Sequence, residues 1–190
     1  MENLSVCVFC GSSKGADGRF VQLARELGTE LAIENFQLVY GGAQIGVMGA
    51  VADAALKKGG EVIGVIPEAL SEREVAHPGL SELIVTSDMH ERKRKMYSLA
   101  DVFVALPGGM GTLEEIFEAA TWTKLGMHEP KKYKPVVLLD EGQFWNPLKE
   151  FLDSLVNHGF VAPKNRTIVI SSSSVGEAIA AIKEISKEIR

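Results

Sequence analysis

The chain is expected to fold as an α/β domain: a doubly wound parallel sheet with helices on both faces. Two observations predict it. Short, continuous apolar runs rich in β-branched residues recur along the sequence, as strands buried on both faces require. Between them lie stretches whose apolar residues repeat with helical period. The alternation continues from end to end with no internal repeat or low-complexity linker, so one domain over residues 1–190 is expected.

The apolar runs are Val6–Cys10, Leu38–Tyr40, Val62–Ile66, Leu83–Val85, Val102–Leu106, Val136–Leu139 and Ile168–Ile170. After the first run, Phe20, Leu23, Ala24, Leu27 and Leu31 fall on one helical face. Leu113, Ile116, Phe117 and Ala120 do so after the fifth, and Phe151, Leu152 and Leu155 after the sixth. Ser171–Ser174 reads as a turn and helix N-cap, ahead of a last helix marked by Ile179, Ile182 and Ile185.

Lys plus Arg number 20 against 25 for Asp plus Glu, a net charge of −5, which argues against nucleic acid or an anionic membrane as the main partner. No apolar run approaches the length of a membrane span, and the MENLSVCVFCG start lacks the features of a signal peptide, so a cytoplasmic protein is expected. Cys7 and Cys10 are the only cysteines. A zinc site would need a second ligand pair, and a redox C-x-x-C would sit at a helix N-terminus rather than in a strand. Their spacing places them on opposite strand faces, as inert core residues.

Ligands of such a sheet bind beyond the carboxyl ends of its strands. Three strands run into glycine-rich turns there: Gly11-Ser12-Ser13, Gly41 to Gly49, and Pro107-Gly108-Gly109-Met110-Gly111-Thr112. Such turns serve tight backbone geometry, and at a helix start they also offer N–H groups and the helix dipole to an anion. Three on one sheet edge favour a phosphate-bearing ligand. No G-K-[ST] of a P-loop occurs, and the nearest approach to a dinucleotide fingerprint places Glu114 at its third glycine.

Two charged segments complete the pattern. In Met89–Met96, helical phase puts Met89, Arg92, Lys93, Met96, Leu99 and Ala100 on one stripe. Arg94 and Lys95 fall outside, where Glu91 can pair with Lys95. Inward-pointing Arg92 and Lys93 need an anionic partner, a carboxylate or a ligand phosphate, unless they snorkel along the helix edge. Thr112 and Glu115 fit a capping box, so Glu115 serves either the helix end or a partly desolvated site beside the glycine turn. Glu115 aligns with Ala119 and Trp122, a face expected to be covered by a partner subunit.

V-Y-G-G-A-x-x-G-x-M-G (39–49), M-x-x-R-K (89–93) and P-G-G-x-G-T-x-x-E (107–115) together resemble the Lonely Guy (LOG) family, cytokinin riboside 5′-monophosphate phosphoribohydrolases whose relatives often carry the label "lysine decarboxylase". The resemblance implies a Rossmann-like fold, a homodimer, and hydrolysis of the N-glycosidic bond of a purine nucleoside 5′-monophosphate, with no metal or cofactor. It also implies Arg92 and Glu115 as the catalytic pair. Glu74, Arg92, Lys93, Gly108, Gly109, Met110, Gly111, Thr112, Glu115 and Thr121 are the implied substrate contacts. Ala43 for glycine, Lys124 for glutamine and a longer 128–135 stretch depart from the family pattern and bear on base preference and subunit packing. The alternative from another class is a nucleotide or molybdenum-cofactor carrier without turnover.

Overall fold

The computed structural model describes residues 4–71 and 76–188. Its strands are β1 (Ser5–Phe9), β2 (Gln37–Tyr40), β3 (Val62–Pro67), β4 (Glu82–Thr86), β5 (Val102–Ala105), β6 (Val136–Leu139) and β7 (Val169–Ser172). They join one seven-stranded sheet of order β4-β3-β2-β1-β5-β6-β7, every pairing parallel. Each expected apolar run coincides with one of these strands, with Cys10, Leu106 and Ile168 falling one residue outside. Two expectations need correction. Ser171 and Ser172 finish β7 rather than forming a turn, although Ser174 Oγ does cap the next helix, accepting from Glu177 N at 3.2 Å. β4 is not buried on both faces: it pairs only with β3, and Glu82, Leu83 and Val85 are exposed.

Side chains alternate across the sheet, which separates two cores. On one face α1 (Arg19–Ile33), α2 (Gly46–Lys57) and α8 (Val175–Glu188) pack against Val6, Val8, Leu38, Val104 and Val137. On the other, α4 (Met89–Leu99), α5 (Met110–Leu125) and α6 (Asn146–Asn157) pack against Cys7, Phe9, Val39, Phe103 and Leu138. Cys7 and Cys10 are free, buried, and in opposite cores, as their spacing requires. Short helices α3 (Glu68–Ser71) and α7 (Pro163–Arg166) complete the connections.

Two helices turn differently from their apolar pattern. α5 buries Thr112, Glu115, Ile116, Ala119 and Thr123, while Phe117 faces out. Its inward stripe carries polar groups, so hydrophobic periodicity mislocates the core face. Phe151 of α6 is likewise exposed, with Leu152 buried in its place. The chain crosses from edge strand β4 through α4 to β5, which lies beside β1. The sheet order therefore reverses between β1 and β5, and their carboxyl ends open the crevice where such folds bind ligands.

Candidate active site

A cavity of ≈ 330 Å³ occupies that crevice. All three glycine turns reach it: Gly11, Ser12 and Ser13 after β1, Gly41 after β2, and Gly109, Met110, Gly111 and Thr112 at the start of α5. Arg92 from α4 and Glu114 and Glu115 from α5 supply its charges, and Met48, Leu70 and Met89 its apolar wall.

The turns do different work. The amides of Val47 and Met48 at the start of α2 donate to Gly11 O at 3.1 and 3.3 Å, so this helix end is closed by the first turn. The start of α5 has no side-chain cap, and its N-cap residue is Gly109. Its first-turn N–H groups and positive dipole end therefore face the cavity, a setting suited to an anion. Gly108 is fixed by crowding: a Cβ there would overlap the Thr112 side chain.

This start also decides between the two readings of Glu115. Thr112 is not an N-cap; it lies inside α5 and is buried, as is Glu115. The capping-box reading is removed. Glu115 is 8% exposed, and burial pushes its carboxyl up to about 7, against the opposing pull of the Arg92 guanidinium and with a further push from Glu114.

Arg92 and Lys93 are 7% and 5% exposed, so neither snorkels to solvent. Their partners differ in kind. Arg92 Nε donates to Val65 O at 2.9 Å and Nη2 to Gly41 O at 3.2 Å, which fixes the planar guanidinium at the ends of β3 and β2. Only glycine at 41 permits this approach, since a Cβ would collide with Nη2. Lys93 Nζ instead sits between Glu114 and Glu118 of α5, at 3.0 Å from Glu118 Oε2. Burial alone would lower the Lys93 ammonium; the carboxylates reverse this and raise it above the ordinary lysine value. Glu91 does not serve Lys95: its Oε2 accepts from Ser87 N at 2.8 Å while Asp88 caps α4.

The structure thus gathers Arg92, Gly109, Met110, Gly111, Thr112 and Glu115 around the cavity, with Gly108 beside them. Lys93 is held one step back by its carboxylates, Thr121 is exposed farther along α5, and Glu74 lies outside the described residues. Trp122 is covered partly by its own chain, with Tyr97 at 5.3 Å and His128 at 5.7 Å between ring centres. A partner is not needed to account for its burial. Sequence reasoning placed the Gly11-Ser12-Ser13 turn and the 109–115 stretch at the ligand edge but missed Leu70 as a lining residue. The carbonyl anchors of Arg92 carry no sequence signal.

A family model described as "Possible lysine decarboxylase" matches residues 48–182. A cytokinin riboside 5′-monophosphate phosphoribohydrolase of Rhodococcoides fascians is 47% identical over 180 residues, covering 94% of this chain and 89% of the relative. The Arabidopsis thaliana enzyme of the same description, LOG1, is 44% identical and covers 94% and 82%. Among solved structures, the molybdenum cofactor carrier protein of Chlamydomonas reinhardtii superposes with a TM-score of 0.73 at 25% identity, covering 98% of this chain and 99% of that one.

Proposed function

The chain belongs to the family of cytokinin riboside 5′-monophosphate phosphoribohydrolases, and from that premise we propose that it hydrolyses the N-glycosidic bond of purine nucleoside 5′-monophosphates, of the adenine or cytokinin type, to free base and ribose 5-phosphate. The observation that carries this reading is a buried carboxylate and a fixed guanidinium, Glu115 and Arg92, lining one cavity with an uncapped helix start.

The uncapped end of α5, with Gly109, Met110, Gly111 and Thr112, binds the 5′-phosphate. Cleavage of C1′–N passes through an oxocarbenium-like state. Glu115, ionised above about pH 7, opposes the positive charge on the sugar and accepts a proton from the water that attacks C1′. Arg92, held by two carbonyls, keeps Glu115 ionisable despite its burial and offers its remaining N–H groups to the substrate. A lysine decarboxylase of the pyridoxal type needs a lysine free to form a Schiff base, and no lysine lines the cavity among the described residues.

We propose one domain over residues 1–190 that works as a homodimer in the cytoplasm. The exposed Phe117 and Leu125 of α5 support a subunit contact, and two free, buried thiols suit a reducing compartment. The likeness to a molybdenum cofactor carrier is one of fold at 25% identity. Glu115, pushed up to about 7 by burial, lines the same cavity as the fixed guanidinium of Arg92, which supports turnover.

The test is a panel of nucleoside 5′-monophosphates and the matching nucleosides, with free base followed by chromatography. The nucleotide should be cleaved at least about tenfold faster than the nucleoside, because each charge-assisted phosphate contact is worth roughly 1.5–3 kcal/mol. Equal rates would remove the phosphate site. Tight nucleotide binding without base release would favour the carrier.

A further inference from the structure

The cavity accounts for Arg92 and Glu115 but leaves the ionic cluster immediately behind them unexplained. Lys93 follows Arg92 on α4, and Glu114 precedes Glu115 on α5. Glu118 stands one turn farther along α5, and its Oε2 accepts from Tyr97 Oη at 2.8 Å as well as from Lys93 Nζ. Tyr97 lies one turn beyond Lys93 on α4, fully buried among Phe9, Phe103, Trp122 and His128. Its ring is locked by packing, so its hydroxyl is a fixed point. The contacts therefore alternate between the helices: Tyr97 holds Glu118, Glu118 holds Lys93, and Lys93 holds Glu114.

We propose that Tyr97 and Glu118, acting through Lys93, are positioning residues that hold α4 in register with α5, so that Arg92 meets Glu115 in the geometry the reaction needs. This rests on the hydrolase reading above. Arg92 is anchored to the sheet by Val65 and Gly41, whereas among the described residues no hydrogen bond ties Glu115 to α4. The Lys93 bridge is the contact that ties the two helices beside that pair. A catalytic group displaced by about 1 Å can lose about two orders of magnitude in rate, so a bridge one residue away on both helices is well placed to control it.

The charges facing Glu115 agree with this assignment. Arg92 and Lys93 approach from α4, Glu114 and Glu118 from its own helix, Cys7 and Cys10 from β1 and its end, and Tyr97 from the buried side. Glu118 is among the groups that raise the Glu115 carboxyl, and Lys93 among those that lower it. Rearranging the bridge alters the protonation of Glu115 as well as its place.

Glu118→Gln keeps an acceptor for Tyr97 and removes the charge that holds Lys93. In the full chain, kcat should fall about tenfold or more while KM changes little, because substrate binding at the α5 start is untouched. The acid limb of the pH–rate profile should move to lower pH. Tyr97→Phe should give a smaller loss of kcat, and the double variant should be no worse than Glu118→Gln, since both act along one path. A readout free of turnover is the 15N–1H resonance of the Arg92 Nε, assigned by its absence in Arg92→Lys. It should shift or broaden in Glu118→Gln while the melting temperature stays close to that of the unaltered protein. An unchanged resonance together with unchanged kcat and pH profile overturns the proposal. If the unaltered protein releases no base from any nucleotide, the hydrolase reading fails, and the resonance still decides the bridge.

Discussion

The two faces of the sheet are packed by different chemistry. Beneath α1, α2 and α8 the buried hydrophobic cluster consists of aliphatic residues with Tyr40, Met48 and Cys10, and the buried His77 beside it is paired with Asp53 of α2. Beneath α4 and α5 lie Arg92, Lys93, Glu115 and Lys134, all buried. Lys134, wholly enclosed, donates to Tyr97 O at 2.8 Å near the end of α4, and burial pushes its ammonium down to about 8. Buried charges weaken a fold unless they are paired, and aliphatic packing in their place is often more stable. A chain that packs one face with Leu, Val and Ala shows that its sheet does not require charge in the core. Of the charges on the other face, Arg92 and Glu115 line the cavity that the three glycine turns reach, where the strand order reverses. On the hydrolase proposal, one face stabilises the molecule and the other gives up stability for reactivity.

The largest expected effect separates the faces outright. Leu27 is fully buried in the aliphatic cluster, so Leu27→Ala should lower unfolding free energy by about 2–5 kcal/mol. Its kcat per folded molecule should be unchanged. Denaturant titration with activity measured on the folded fraction checks this, and a matching loss of kcat would mean that the faces are coupled. Next is Arg92→Lys, which keeps the charge but loses the fork that meets Val65 O and Gly41 O. Here kcat/KM should drop about 10- to 100-fold, with a much smaller change in stability. The smallest effect lies two residues along the same basic run. Arg94 and Lys95 are exposed, and replacing either by Ala should change stability by no more than about 0.5 kcal/mol and leave turnover intact. A large loss there would undo the division of this helix into an inner and an outer pair of cations.

Much of this contrast is legible in the sequence, and the parts that are not share one cause. Strands were readable because both of their faces are apolar, and β4 escaped the rule because an edge strand has only one neighbour. The inward direction of Arg92 and Lys93 followed from their phase with Met89 and Met96, and the anionic partner required of Lys93 exists as Glu114 and Glu118. α5 was mislocated because its buried stripe is partly polar, which periodicity counts as surface. The partners of Arg92 were beyond reach because backbone carbonyls have no residue identity. Glu115 as part of a capping box was a sound local reading. It fails because the helix begins at Met110, ahead of Thr112, a choice made by the β5–α5 turn and not by the Thr–Glu spacing.

The central claim is that Glu115 weakens the fold at neutral pH and is retained for its reactivity. Folding raises its carboxyl from 4.5 to about 7, so the native state binds the proton more tightly than the unfolded chain. The resulting stabilisation is present below pH 4.5 and is lost as the pH climbs to about 7. Above that the buried charge costs on the order of 3 kcal/mol. The decisive measurement is Glu115→Gln, with unfolding free energy recorded at pH 5 and pH 8 beside the rate of base release at pH 8. The variant should lie within about 1 kcal/mol of the unaltered protein at pH 5, exceed it by about 3 kcal/mol at pH 8, and lose at least about 10²-fold in kcat. Near-normal turnover, or a stability difference that does not change between the two pH values, would contradict the account.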